Sequence, residues 1–301
     1  MRILEKIIKN GVKRSLIILF IKIRNIIFGK YRRYFIMGKA KEALKNIDIL
    51  LSTPKFNEIT SLEIIRKCLD LSIQDEKFFK KVLFGLESYG GTLVGGYDVF
   101  DQRVLYGLIK YLGIKTVFEC APCKGLSTAV IQRALPENCE HISFDINNNS
   151  ADIVKNIRKY SGKLKNWKFE LGDFRNTVKK YREEFKKIDF LFIDADHSCE
   201  FAKWYLDESG ILEAMRPGSI IHIHDIYPLD KEPKAKWFVK NGESKYFNQW
   251  VFENKHKYEI LYTYELSRQR EITSSYDKNL FYNSEGYLAN NPTVYLRKIN
   301  L

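Results

Sequence analysis

The chain has 301 residues, 45% hydrophobic and 29% charged, and a net charge of +13. That length and apolar content describe a core-forming globular protein, one large domain with an extension or two small ones, and exclude a disordered chain. The charge is uneven: residues 1–40 carry eleven Lys/Arg against the single acid Glu5, while the other 261 residues carry 39 bases and 36 acids. A body so near neutrality argues against nucleic acid as a partner, which would call for a basic face. Five scattered cysteines fit a reduced, cytoplasmic protein.

Within residues 1–40, Ile8, Val12, Leu16, Leu19, Ile23 and Ile27 recur at the three- and four-residue steps of one helix face. Arg2, Lys6, Lys9 and Lys13 recur on another face. The longest uninterrupted apolar run here, Leu16–Ile21, is too short to span a bilayer. A basic amphipathic helix of this kind can lie on an anionic membrane, peripherally at the inner face of the cell membrane. Its competing use is to pack on the body with its charges solvated. Helical patterning continues through Ala43, Leu44, Ile47, Leu50, Leu62, Ile65, Cys68 and Leu69. The Gly-rich stretch Tyr89–Gly96 is the expected seam, making residues 1–88 a helical extension and residues 89–301 the main domain.

From Thr116 onward, short apolar runs alternate with helical segments. The runs are Thr116–Cys120, His141–Ile146, Trp167–Leu171, Ile188–Ile193 and Ser219–Ile223, with helices predicted at Leu126–Leu135 and Ser150–Tyr160. Such alternation implies an α/β fold whose parallel sheet is covered on both faces. Each run ends at or beside a carboxylate: Glu119, Asp145, Asp173, Asp194 and Asp225. Open α/β sheets bind ligands at the carboxyl ends of their strands, so these acids should line one rim. One strand-end Asp is commonly a helix cap; five in succession ask for more than capping.

The first turn, Glu119-Cys-Ala-Pro-Cys-Lys-Gly125-Leu-Ser127, resembles motif I of the class I S-adenosylmethionine (SAM) dependent methyltransferases. The resemblance extends over residues 97–267. It implies a Rossmann-like seven-stranded sheet, mostly parallel with the last strand antiparallel, behind the N-terminal helical extension. It also implies SAM as cofactor, with Glu119, Ala121, Gly125 and Ser127 around its methionine part and Asp145 at the ribose. Asp173 and Phe174, in Gly172-Asp-Phe174, would approach the adenine, and Asp194, in Asp194-Ala-Asp-His197, would face the methyl group. Arg216–Asp225 resembles the turn and fifth strand that follow. Ala121 and Cys123 stand where the family has glycines, which puts the backbone approach there in question. The Pro122 and Gly125-Leu-Ser-Thr128 version is similar to small-molecule and glycan O-methyltransferases, so the expected acceptor is a hydroxyl, including one on a lipid-linked sugar.

Asp194, His197, His224 and Asp225 form the expected catalytic set. His222 and His224 share a strand face by the two-residue period, and His224 is nearer the rim. In metal-dependent relatives two Asp and an Asn hold Mg²⁺; Asp194 and Asp225 match the Asp positions, while Ile226 replaces the Asn. A metal site would then need His197 or His224 as third ligand. Two other readings compete. Cys120 and Cys123 have thioredoxin-like spacing, though without the Trp and distant Pro of that motif. A SAM-binding subunit without turnover would also carry the same loop. Further on, fourteen aromatics crowd residues 227–287, suiting sugar or ring substrates or a packed hairpin, with strands at Tyr258–Leu266 and Thr293–Ile299.

Overall fold

The computed structural model describes residues 58–88, 99–226, 242–262 and 293–299. The basic arm at 1–40, the seam at 89–96 and the polar stretch 267–292 lie outside the described residues. The chain enters with α1 (Glu58–Ile73), α2 (Glu76–Ser88) and α3 (Val99–Tyr111). Strands and helices then alternate: β1 (Thr116–Cys120), α4 (Leu126–Ala134), β2 (Glu140–Asp145), α5 (Ser150–Asn156), β3 (Trp167–Leu171), α6 (Phe174–Thr177) and β4 (Phe190–Ile193). They continue through α7 (Cys199–Lys203), α8 (Ile211–Ala214), β5 (Ile220–Ile223), α9 (Glu243–Asn254), β6 (Tyr258–Tyr262) and β7 (Val294–Lys298). Among the described residues no helix is long and apolar enough to cross a membrane.

One sheet of seven strands results, in the order β3-β2-β1-β4-β5-β7-β6. The first five strands pair in parallel, and β7 runs antiparallel to both β5 and β6. The expected mostly parallel sheet with a reversed last strand is therefore present. The two-residue period divides its side chains between two cores. Val117, Phe190, Phe192 and Tyr295 pack on α1–α4, whereas Phe118, Phe144, Leu191, Ile193 and Ile221 pack on α7, α8 and α9. Each buried Ile, Leu or Phe contributes about 1.5–3 kcal/mol. An exposed ion pair such as Lys163–Glu137 is screened by water and contributes little. Apolar burial on both faces therefore decides the fold.

Local differences from the sequence pattern have local causes. The predicted helix 150–160 ends as α-helix at Asn156 and widens into a π turn, Ile157–Ser161. Gly162, at φ 83°, closes that turn by donating to the Ile157 carbonyl at 3.1 Å. Ile146, predicted inside the second strand, lies just beyond it and is 71% exposed.

Helices α1 and α2 share an apolar core with the sheet through Ile65, Cys68, Leu69, Phe79 and Val82. Gly107 of α3 meets α1 so closely that a Cβ there would lie 2.3 Å from the Cys68 Cα. Arg103, buried under the Phe79 ring, donates to Glu76 Oε2 at 2.8 Å and Ser72 Oγ at 3.2 Å. Asp75, between α1 and α2, accepts from Arg133 Nε (2.5 Å) and Nη2 (2.8 Å) on α4 and from the Tyr106 hydroxyl (3.0 Å).

Burial alone would raise the Asp75 carboxyl, but its bonds from Arg133 and Tyr106 hold it below the ordinary carboxylate range. A depressed folded-state value stabilises above the unfolded pKa, and that stabilisation is lost as pH falls through the folded one. Asp75→Asn should therefore lower the urea midpoint at pH 7, and the gap from the parent protein should close as pH falls below about 4.

Candidate active site

Strand register brings the chemistry to one edge. Cys120 pairs with Phe144 and Ile193, and Ile193 pairs with Ile223. The residues that follow, Ala121, Asp145, Asp194 and His224, are thus carried to the same level. Three of these strand ends are locked by backbone bonds: Ala121 N to Phe144 O (2.8 Å), Asp194 N to Cys120 O (3.3 Å) and His224 N to Ile193 O (3.0 Å).

The loop after β1 turns without its glycines. Ala121 and Cys123 adopt φ 63° and 52°, beside Gly125 at φ 81°. The left-handed conformation costs an L-residue about 1–2 kcal/mol. Here it aims the Cys123 N–H at Asp145 Oδ2 (3.2 Å), while Asn147 N–H reaches Oδ1 (2.8 Å). Asp145 is buried, yet a carboxylate has about four acceptor sites and these bonds use two. Beyond it, Ile146 (71% exposed) and Leu171 (52% exposed) put apolar surface beside the same loop ends. In the sequence both read as core, because they are apolar residues at strand ends.

Other expected cofactor residues sit differently. Glu119 is fully buried and does not reach the rim. It accepts from Ser127 Oγ (2.7 Å), Thr128 Oγ1 (2.9 Å) and Ser143 Oγ (2.7 Å), and His141 Nε2 lies 3.1 Å away. Ser127 is held by that bond at the start of α4. Asp173 caps α6 by accepting from Arg175 N (2.8 Å) and is gripped by the Arg175 guanidinium at 2.6–3.1 Å. That grip holds its carboxyl below the usual range. Phe174 is buried between Phe144 and Trp204, at centroid distances of 5.0 and 5.6 Å.

The expected catalytic residues converge. His224 Nδ1 lies 3.2 Å from Asp194 Oδ1 and 3.8 Å from Asp225 Oδ2. His197 Nε2 lies 3.8 Å from Asp194 Oδ1 and 3.9 Å from Asp225 Oδ2. Burial would push His224 down, but the charge and hydrogen bond of Asp194, with Asp225 and Asp101, carry its pKa up to about 10. Burial likewise opposes a charged His197, and the Glu243 bond and the rim carboxylates raise it. Asp225 stands at φ 56°, backbone strain stored at the site. His222, by contrast, is core: it stacks on Phe192 at 4.2 Å, and burial drives it neutral.

Glu243 was missed. It is 2% exposed at the start of α9, 2.7 Å from His197 Nδ1, and accepts from the Tyr205 hydroxyl at 2.7 Å. Its backbone N–H donates to the His197 carbonyl at 2.8 Å. No spacing rule connects two residues so far apart; only folding does.

One ligand atom from each of Asp194, His224 and Asp225 lies within 4.8 Å of the others, a donor set that fits a divalent cation. Ile226 is buried in the core. The thioredoxin-like reading fares worse. Burial pushes both the Cys120 and Cys123 thiols up, whereas redox thiols are lowered.

A family model described as a methyltransferase domain matches residues 119–226. No curated protein matches the chain. Among solved structures, the O-methyltransferase TomG from Streptomyces achromogenes, involved in tomaymycin synthesis and in complex with SAM, superposes with TM-score 0.51 at 11% identity, covering 74% of this chain and 90% of that one. A protein from Klebsiella pneumoniae described as an O-methyltransferase gives TM-score 0.50 at 15% identity, over 74% and 90%. Cofactor-bound Rv0187 from MTB gives 0.50 at 13%, over 71% and 87%. At these identities the likeness is one of fold.

The loop geometry is directly testable at Gly125. A Cβ there would meet Ile153 Cγ2 at 2.9 Å and Ile153 Cα at 3.0 Å, at a φ that disfavours L-residues. Gly125→Ala should lower stability by about 1–3 kcal/mol, read from denaturant midpoints.

Proposed function

We propose, from the match of residues 119–226 to a methyltransferase-domain model, that this chain transfers a methyl group from SAM to a hydroxyl of a small molecule or glycan. The observation that carries the reading is the single rim that holds the left-handed loop, Asp145 and the Asp194–His197–His224–Asp225 cluster together. SAM supplies a sulfonium methyl that is electrophilic without further activation.

The chain's own residues bind and align. Asp145 offers its two remaining acceptor sites to the ribose hydroxyls. The exposed Ile146 and Leu171 offer apolar surface to the adenine. Glu119 acts from behind, holding Ser127 and Thr128 at the first turn of α4. Alignment of the two reactants lowers the barrier by up to about 7–11 kcal/mol, and a base adds about 10²–10⁴-fold. The acceptor's proton leaves to the carboxylates of the rim cluster, because the raised His224 and His197 rings already carry theirs. Asp194, His224 and Asp225 would hold a dication there, whose charge would favour the deprotonated acceptor oxygen.

Calorimetry should show SAM or its demethylated product binding, and Asp145→Ala should weaken it by about 10–100-fold, the worth of a hydrogen bond to a charged group. His224→Ala should cut methyl transfer from labelled SAM into a cell lysate by about 10²–10³-fold, the worth of one fixed electrostatic contact at the reacting centre, while leaving that affinity intact. No response to SAM or to its demethylated product would overturn the cofactor reading. SAM binding with no label transferred would make the chain a binding subunit.

The finer reading concerns where the acceptor lies. Eleven bases against one acid in residues 1–40, at helical period with an apolar face, favour an acceptor at an anionic membrane, such as a lipid-linked glycan. Confinement to a surface raises the encounter rate with such an acceptor. The chain should pellet with anionic liposomes at low salt and less at high salt. Deleting residues 1–40 should abolish pelleting and spare SAM affinity. Indifference of the intact chain to liposomes would exclude the membrane.

A further inference from the structure

We infer that the rim cluster is a two-histidine, two-carboxylate centre selective for a first-row transition dication over Mg²⁺, with His197 as a ligand and Glu243 as the buried group that holds it. The inference rests on the methyl-transfer reading for its role, but its binding chemistry stands on the donors themselves.

The first support is spacing. The His197 Nε2 separations of 3.8 and 3.9 Å from Asp194 Oδ1 and Asp225 Oδ2 are too long for hydrogen bonds. Two ligands on one ion with bonds of about 2.1 Å stand roughly 3.0–3.4 Å apart, at octahedral or tetrahedral angles. The His224–Asp194 contact of 3.2 Å lies inside that range, and the other three, 3.8–3.9 Å, lie about 0.5 Å beyond it. Small side-chain rotations would close them on an ion.

The second support lies behind His197. A metal-bound imidazole commonly gives its other N–H to a carboxylate, which fixes the ring and raises its basicity. His197 Nδ1 is 2.7 Å from Glu243 Oε2, and Glu243 is itself held by Tyr205. That leaves Nε2 as the nitrogen turned to Asp194 and Asp225. A simple imidazolium–carboxylate pair at the rim needs no third carboxylate buried behind the ring. Burying Glu243 costs free energy that a fixed ligand would justify.

The third support is donor type. Mg²⁺ prefers oxygen ligands and keeps several waters. Two imidazoles with two carboxylates suit Mn²⁺, Fe²⁺, Co²⁺ or Zn²⁺. Two carboxylates also balance the charge of a dication.

The test uses the full chain, stripped with EDTA and desalted, with Mn²⁺ and Co²⁺ as probes. Mn²⁺ should bind, its free six-line spectrum collapsing, and Co²⁺ should displace it at concentrations at least tenfold below those Mg²⁺ requires. Pulsed electron paramagnetic resonance of bound Mn²⁺ should show coupling to imidazole nitrogen that weakens in His197→Gln. Glu243→Gln should weaken Co²⁺ binding by about 10–100-fold with the thermal midpoint held. Should that variant not fold, Tyr205→Phe, which removes one bond to Glu243, should weaken Co²⁺ in the same direction. Mg²⁺ competing as well as Co²⁺, absence of nitrogen coupling, or Co²⁺ affinity unmoved in the folded Glu243 or Tyr205 variant would each overturn the inference. Calorimetry with the demethylated cofactor separates the two failures. Metal bound without cofactor would sink the methyl-transfer reading alone, and cofactor bound without metal would sink this inference alone.

Discussion

A carboxylate buried at the end of a central strand must be given hydrogen-bond donors, and the donors Glu119 recruits set the geometry of the rim. Stripped of water and left unpaired, it would cost several kcal/mol. Ser127 and Thr128 come from the first turn of α4, and Ser143 and His141 come from β2. Satisfying one charge therefore ties helix, loop and neighbouring strand together. The loop between them, Ala121–Gly125, has little freedom left, which is how it can keep left-handed residues where glycine would be cheaper.

The network runs outward from there. Gln132 on α4 bonds His141 Nδ1 at 3.1 Å and accepts from Lys165 N at 2.8 Å, and the Trp167 indole reaches Ser143 Oγ at 2.8 Å. Polar groups buried among these strands are thus satisfied by one another, the condition under which such a network specifies a single packing. On the far side of α4, Arg133 reaches Asp75, so the helices ahead of the sheet are fastened to the same element. The rim is held from two directions by α4.

Electrostatics at the other half of the rim works by opposition. Asp194 and Asp225 alone would repel each other and shed charge by protonation. His224 and His197 offset that repulsion: against its own burial, Asp194 is held below the ordinary carboxylate range chiefly by His224. Glu243 behind His197 is itself raised by burial, with His197 and Tyr205 pulling the other way. The result is a compact set of opposed acidic and basic groups on one rim.

Hydrophobic period and strand-end chemistry are local properties, so the alternation of strands and helices, the mostly parallel sheet and the row of strand-end acids are legible along the chain. So is the place of His197, His224, Asp194 and Asp225 on one edge, since strand ends of a parallel sheet share a level. Which of the acids face outward depends on packing in three dimensions. Glu119 and Asp145 are both strand-end acids, but Glu119 points into the sheet's covered face, where four donors surround it, while Asp145 turns to the loop. Phe174 reads as a ligand contact and packs as core, because Phe144 and Trp204 reach it from other elements. Glu243 was invisible for the same reason: its meaning comes from His197 and Tyr205, some forty positions away. A residue's charge and period are written in its neighbours along the chain, whereas its burial and partners are set by neighbours in space, and only folding brings those together.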